Sequence, residues 1–171
     1  QGGPFVKIAV CPGSFDPVTN GHVDIFERAS SMYDRLIIAV FRNPGKNPLF
    51  NMEDRVRLLK EATKHIPNVE IDSFSGLLTD FVLQKNSRII VRGLRALSDF
   101  EYEFQRALLI KCVRPEIETV FMMTSSEYSF VSSSGIKELA QFGGDISKLV
   151  PPMLYDEITQ RCRELAARKA L

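Results

Sequence analysis

A histidine that opens a helix, a lysine in a loop rich in glycine and proline, and two arginines astride a glycine are the residues with most chemistry to offer. The histidine ends the stretch Pro12-Gly13-Ser14-Phe15-Asp16-Pro17-Val18-Thr19-Asn20-Gly21-His22, which directly follows the apolar run Lys7-Ile8-Ala9-Val10-Cys11. Gly13 and Gly21 let main chain come close to a ligand, and Gly21-His22 begins a helical pattern whose free N–H groups favour phosphate. In that position His22 can donate an imidazole Nε2–H to a phosphate oxygen, helped by the positive end of the helix dipole. It fits equally as a residue that packs or caps the helix. Ser14 offers a hydroxyl at the same turn, or bonds its own backbone as a turn former. Asp16 is read as ordering the turn rather than reacting.

Three further groups have the same flavour. Lys46 lies in Asn43-Pro44-Gly45-Lys46-Asn47-Pro48, where a cation either meets phosphate or is simply solvated. Arg92 and Arg95 flank Gly93, and their planar forked donors grip phosphate in a way that lysine cannot; the alternative is that they pair with Asp99 or Glu101. Ser132, Ser133 and Ser134 precede a helical pattern, so they are N-cap candidates, and an uncovered helix start beside them is a nest for phosphate oxygens. The common theme is the gathering of negative oxygen.

Such groups must be held by elements that end near one another, and the chain supplies them by alternation. Strand patterns run over Lys7–Cys11, Leu36–Phe41, Val69–Phe74, Arg88–Arg92 and Ile117–Met123. Between them lie helical patterns over Gly21–Met32, Met52–His65 (capped by Asn51), Leu77–Lys85 and Ser98 or Asp99 to about Cys112, stopped by Pro115. Two more follow, near Ser133–Gln141 and from about Pro152 to Ala167. Leu36–Phe41 is continuous and β-branched, as in a strand covered on both faces. The rhythm predicts an α/β fold, a Rossmann-like open sheet of five parallel strands with helices on both faces, in a single domain. In such a sheet ligands bind outside the carboxyl ends of the strands, and every group named above follows a strand.

Composition sets the outer bounds. The 171 residues suffice for one domain burying roughly 70% of its unfolded surface. With 44% hydrophobic and 25% charged residues, disorder and fibrous folds are excluded. A net charge of +1 gives no general pull toward nucleic acid or an anionic membrane, and the longest apolar run, Leu36 to Phe41, is far too short to span a bilayer. Gln1-Gly2-Gly3-Pro4 reads as an expression scar or frayed tail, so residues 1–6 are set apart and 7–171 form the expected domain. The lack of a targeting pattern there and three unpatterned cysteines, Cys11, Cys112 and Cys162, lead to the expectation of free, buried or half-buried thiols in the cytoplasm.

Ser14 to Pro17 fits G-[ST]-F-D-P after its glycine, and Thr19 to His22 fits [HT]-x-G-H, so the chain resembles the nucleotidylyltransferase superfamily. A second signature of that superfamily is similar to Ser132-Ser133-Ser134-Gly135-Ile136-Lys137-Glu138. From about Lys7 to the last helix the chain resembles the phosphopantetheine adenylyltransferase family, most specifically in Val91-Arg92-Gly93-Leu94-Arg95-Ala96, Asp99-Phe100-Glu101-Tyr102-Glu103 and Tyr128-Ser129-Phe130-Val131-Ser132-Ser133-Ser134. Other adenylyl- and cytidylyltransferases of the superfamily usually end their second signature in S-[ST]-x-x-R, whereas here Lys137 and Glu138 follow the serines.

The resemblance implies reversible adenylyl transfer from ATP to 4′-phosphopantetheine, giving dephospho-coenzyme A and pyrophosphate by direct in-line displacement. It implies His22, Lys46 and Arg92 as catalytic residues. ATP would be bound by Ser14, Phe15, His22, Gly93, Leu94, Arg95, Glu103, Tyr128, Ser129, Phe130, Val131, Ser132, Ser133 and Ser134. The acceptor would be bound by Ser14, Lys46, Leu77, Leu78 and Arg92, although Leu77 and Leu78 also fit as core residues of their helix, and Glu103 as a solvated helix residue. Mg²⁺ is implied by the triphosphate, with no protein ligand named, and a homohexamer by the family. Gly76 and Ile110 depart from the family pattern, which often has Asp and Asn there.

Overall fold

A computed structural model describes residues 5–42 and 47–170. Five strands, β1 (Ile8–Gly13), β2 (Arg35–Phe41), β3 (Val69–Phe74), β4 (Ile89–Leu94) and β5 (Glu118–Met123), form one sheet in the order β3-β2-β1-β4-β5. All neighbouring pairs are parallel. The helices between and after them are α1 (Asn20–Ser30), α2 (Met52–Ala62), α3 (Leu78–Gln84), α4 (Leu97–Val113), α5 (Ser133–Gln141) and α6 (Tyr155–Lys169). This is the Rossmann-like, single-domain α/β architecture that the alternating pattern predicts. Among the described residues, no helix is long and apolar enough to cross a membrane.

The strands bury both faces, and alternation sorts their side chains. Ala9, Cys11, Leu36, Ile38, Val40 and Val91 join Ile25, Phe26 and Ala29 of α1 and Leu58, Leu59 and Ala62 of α2 in the larger core. Ile8, Val10, Ile37, Ala39 and Ile90 face the other way, onto Phe81 and Val82 of α3 and onto Ile117. Asn51 caps α2 as expected, its side chain accepting from the N–H of Asp54.

Several boundaries move for identifiable reasons. Strand β1 continues through Pro12 and Gly13, because its register with β2 carries on as Pro12↔Ala39 and Gly13↔Val40. The missing N–H of Pro12 is tolerated because the β1–β4 ladder covers only Ala9↔Ile89 and Val10↔Ile90. Beyond Val10 the carboxyl ends of β1 and β4 are joined by a side chain instead, Arg92 donating from Nη1 to the carbonyl of Pro12 at 2.8 Å. Helix α4 starts at Leu97 with Ala96 as its cap residue, the Asp99 carboxylate being bound by Arg95 at 3.1 Å rather than capping. Pro152–Leu154 forms a separate 3₁₀ turn before α6.

Helix α4 lies less deeply than its apolar content suggests. Leu109 is 67% exposed, and Leu97, Tyr102, Leu108 and Val113 are also exposed. Phe100 and Phe104 stack on each other with ring centroids 5.5 Å apart, both still partly open to solvent. Cys112 shares this outer helix and is exposed, which corrects the expectation for it; Cys11 and Cys162 are buried free thiols.

Candidate active site

Where the β1–β4 ladder ends, the rim opens into a cavity of about 480 Å³. Its walls come from the β1–α1 turn, the end of β4 with the start of α4, and the segment entering α5. The geometry of the first wall begins with Gly13. A Cβ there would lie 2.7 Å from Cζ of Phe15, so only glycine leaves space for that ring. Phe15 itself has φ of 46°, a left-handed conformation costly for a side chain of this size. The conformation drives its ring inward, edge-on to His22 with centroids 5.0 Å apart and to Phe26 at 5.4 Å.

His22 is the third residue of α1 and completes a capping box with Thr19. The N–H of His22 donates to Thr19 Oγ1 at 3.2 Å, and the N–H of Thr19 donates back to His22 Nδ1 at 3.0 Å. Histidine thus takes the place usually held by Glu or Gln in this motif. Burial lowers the His22 pKa from its ordinary 6.5 to about 4, and the charges of Arg95 and Arg92 push in the same direction. The ring is neutral at physiological pH, with Nδ1 accepting and Nε2 carrying the proton. The packing-and-capping role and the donor role coexist in one residue.

Asp16 is buried and its two oxygens accept from the N–H groups of Leu49 (2.7 Å) and Phe50 (2.9 Å). It ties the β1–α1 turn to the far end of the β2–α2 loop, an ordering role. Lys46 belongs to that loop and lies outside the described residues.

On the facing wall Arg92 is gripped by Glu103, Nε to Oε2 at 2.9 Å and Nη2 to Oε1 at 2.6 Å. The partner is Glu103 rather than Asp99 or Glu101, the two carboxylates of the sequence alternative. The fork is fully directed: two nitrogens are fixed by the carboxylate and the third by Pro12. Burial pushes the Cys11 thiol of the same cavity up to about 12 against the opposing pull of the Arg92 charge, so it stays uncharged. Arg95 pairs with Asp99 as the sequence alternative allowed, and also donates from Nη1 to the carbonyl of Val131 at 3.3 Å. Gly93 lies at the cavity floor, where an added Cβ would approach Ile25 Cγ1 to 3.2 Å.

The third wall enters α5. Ser132 caps that helix through Gly135 N–H at 3.0 Å, and Ser133 donates its hydroxyl to the carbonyl of Pro17 at 2.8 Å. Tyr128, Val131, Ser132, Ser133 and Ser134 all line the cavity. Ser14, Ser133 and Ser134 also border a second cavity of about 860 Å³, which they join to the first. That space adds three cations, Arg42, Arg55 and Lys137, and none of them has a carboxylate within 4 Å among the described residues.

Of the residues singled out in the sequence, His22, Arg92, Ser14, Phe15, Gly93, Arg95, Glu103, Tyr128 and Val131 through Ser134 meet around the first cavity. Leu94 does not line it and is buried in the core. Ser129 turns its hydroxyl back to the carbonyl of Ser126, and Phe130 is 73% exposed outside the cavity. Leu77 is 66% exposed, so it is no core leucine, while Leu78 packs beside Phe81 and borders a narrow crevice with Arg92, Glu103 and Ile110. Gly76 has φ of +95°, a conformation that an Asp would adopt only with strain. Sequence reading passed over Arg55, although it shares the i, i+3, i+4, i+7 stripe of Leu58, Leu59 and Ala62 and so had to point inward.

A doubly wound sheet with helix starts, arginines and serines at its carboxyl rim defines a nucleotide-binding α/β protein, and residues 10–139 match the family described as cytidylyltransferase-like. The chain is 56% identical over 158 residues to the phosphopantetheine adenylyltransferase of Clostridium botulinum strain Eklund 17B, spanning 92% of this chain and 99% of the relative. It is 50% identical over 159 residues to that of Caldanaerobacter subterraneus subsp. tengcongensis, spanning 93% and 99%. In fold it is similar to the nicotinic acid mononucleotide adenylyltransferase of Plasmodium falciparum solved with APC, at a TM-score of 0.69, 15% identity, and coverage of 95% of this chain and 98% of that one. The chain belongs to the phosphopantetheine adenylyltransferase family of nucleotidyltransferases.

Proposed function

We propose that the two joined cavities bind ATP and 4′-phosphopantetheine and transfer the adenylyl group between them, a step of coenzyme A synthesis. An oxygen of the acceptor phosphate attacks the α-phosphorus of ATP as the bond to the β-phosphate bridging oxygen breaks. The electron pair leaves with pyrophosphate, and dephospho-coenzyme A is the other product. No covalent intermediate on the protein is needed, so the acceleration rests on positioning and on donors aimed at developing charge.

The observation that carries this reading is the meeting of a neutral His22 Nε2–H donor and the Arg92 fork at one cavity. His22 stabilises the oxygens of the five-coordinate phosphorus. Arg92 holds the acceptor phosphate, joined by Lys46 and the Ser14 hydroxyl. Gly93, Arg95 and Glu103 hold the nucleoside side of ATP with Phe15, Tyr128 and Val131, and Ser132, Ser133 and Ser134 with the α5 amides receive its β- and γ-phosphates. Leu78, with Leu77 at the entrance, borders the pantetheine arm.

Mg²⁺ would arrive with the triphosphate. The carboxylates lining the cavities, Asp16, Asp99 and Glu103, are each engaged by donors, and among the described residues no cluster of three His, Cys, Asp or Glu is present. The ion would therefore rest on phosphate oxygens and water, supplying charge neutralisation. The exposed apolar face of α4 supports association between copies of the chain, for which the family implies a homohexamer, and free cysteines fit a cytoplasmic setting.

Pyrophosphate release measured with ATP and either 4′-phosphopantetheine or nicotinamide mononucleotide tests the reading. Turnover with the first alone is expected; turnover with only the second rejects it.

A further inference from the structure

Arg55 stands where the α2 stripe calls for an apolar side chain. It is 5% exposed, with Leu58, Leu59 and Ala62 continuing the same stripe into the core. Its Nη1 donates to the carbonyls of Ser14 at 3.0 Å and Phe41 at 3.3 Å. Its Nε is enclosed and has no partner among the described residues. Among the described residues no carboxylate lies within ion-pair distance; Asp16, whose oxygens are bonded by the Leu49 and Phe50 N–H groups, favours the charge only through space. Burying a guanidinium under these terms is costly, because main-chain carbonyls offset only part of the lost hydration.

The two carbonyls explain where the guanidinium acts. One belongs to the turn that leads to His22, the other to the last residue of β2, from which the Lys46 loop departs. Arg55 joins them and lines the second cavity together with Arg42 and Lys137. Resting on the transfer reading above, we propose that Arg55 is a positioning residue that locks the Ser14 turn to the end of β2 and keeps a buried charge, offset in the fold only through space by Asp16, at the cavity that receives the phosphates of ATP. Binding of the polyphosphate adds the direct counter-charge that Asp16 gives only through space. The cation thereby favours the loaded state over the free one.

Three variants separate the components. Arg55→Leu completes the apolar stripe, Arg55→Gln keeps a donor without charge, and Arg55→Lys keeps charge without the fork. Each is assayed for thermal denaturation, pyrophosphate binding by calorimetry at two salt concentrations, and kcat and KM for both substrates. We expect Arg55→Leu and Arg55→Gln to bind pyrophosphate about tenfold or more weakly, with a shallower salt dependence. Arg55→Lys should recover binding to within about threefold while kcat stays at least about tenfold low, since an ammonium cannot reproduce the planar fork.

Unchanged pyrophosphate affinity and kcat in folded Arg55→Gln or Arg55→Leu overturn the proposal. So does a lower melting temperature with unaltered kinetic constants, which marks a brace of the fold alone. Should the uncharged variants fail to fold, full kcat in Arg55→Lys overturns it. Wild-type protein that lacks transfer activity, yet loses pyrophosphate binding with Arg55, defeats the activity reading and leaves the charge role standing.

Discussion

The main-chain N–H of Thr19 donates to Nδ1 of His22 at 3.0 Å, and this contact fixes the tautomer of the imidazole. With Nδ1 accepting, the neutral ring must carry its proton on Nε2, the nitrogen left for a ligand. The helix cap and the proposed transition-state donor are opposite edges of one ring.

Those two roles separate on substitution. Glutamine at this position retains the capping box, so His22→Gln should melt within a few degrees of wild type while kcat falls about 10²–10³-fold. His22→Ala should lose the same catalysis and, in addition, about 1 kcal/mol of stability as the Thr19 N–H loses its acceptor, the Thr19 hydroxyl still capping the main-chain N–H of residue 22. Steady-state kinetics beside thermal melts check both. For His22→Ala the loss in kcat should far exceed any loss in ATP affinity, because a transition-state contact acts on turnover.

The depressed pKa of His22 makes stability depend on pH in a defined window. The unfolded chain takes up this proton below about 6.5 and the folded chain only near 4, so the unfolded state binds more protons between those values. Stability contributed by the neutral ring is whole above 6.5 and drains away as pH falls toward 4, by on the order of 2–3 kcal/mol. Urea unfolding from pH 7 to 4 should show a steeper decline in wild type than in His22→Gln. Parallel curves would reject the assignment.

Arg92 is aimed by Glu103 rather than left to find its own geometry. Glu103→Gln should free one edge of the guanidinium, costing about 1–3 kcal/mol of stability from this part-buried pair and raising the KM for the acceptor. Arg92→Lys should be worse for activity than for stability, since it keeps charge and loses the fork. Melting curves and acceptor titrations distinguish the two.

Gly13→Ala tests the packing that seats the histidine. Its Cβ would meet the Phe15 ring at 2.7 Å, and that ring is edge-on to both His22 and Phe26. The ring has little freedom to retreat, so the substitution should cost about 1–3 kcal/mol and reduce kcat through displacement of His22. A crystal structure of an active Gly13→Ala protein with an unmoved ring would refute this.

If the outer face of α4 joins subunits, Leu109→Glu should dissociate the assembly. Sedimentation velocity at several concentrations reads the result, and an unaltered assembly size rejects α4 as the contact.

The succession of strands and helices along the chain could be read from apolar runs and period-3.6 patterns, because burial writes them into the sequence, and the carboxyl ends follow as the expected rim for a ligand in a parallel sheet; the order of strands within the sheet could not. Ser14, His22 and Ser132–Ser134 were legible because each directly follows a strand or opens a helix, and Arg92 because it sits near the carboxyl end of β4, which runs on to Leu94. Pairings were not. Glu103 and Glu101 are two residues apart on α4, and only the turn of the helix against β4 brings one of them to Arg92. The extent of β1 was hidden because Pro12 reads as a breaker unless the missing ladder to β4 is known. Leu94 and Leu77 show the same limit: side-chain direction at an element's end is set by tertiary packing. Arg55 was legible in principle from its stripe, yet a charged residue on a surface-type helix draws no notice until the core beneath it is seen.

The short ladder between β1 and β4 divides the sheet into a three-stranded and a two-stranded leaf held along a two-residue seam. Beyond that seam the leaves are clasped by Arg92 and by whatever occupies the cleft. In the proposed reading a nucleotide lodged there is also a rivet, and part of its binding free energy becomes cohesion of the protein. Saturation with substrate should therefore quench hydrogen exchange most strongly along the facing edges of those two strands, far more than at the outer strand β3.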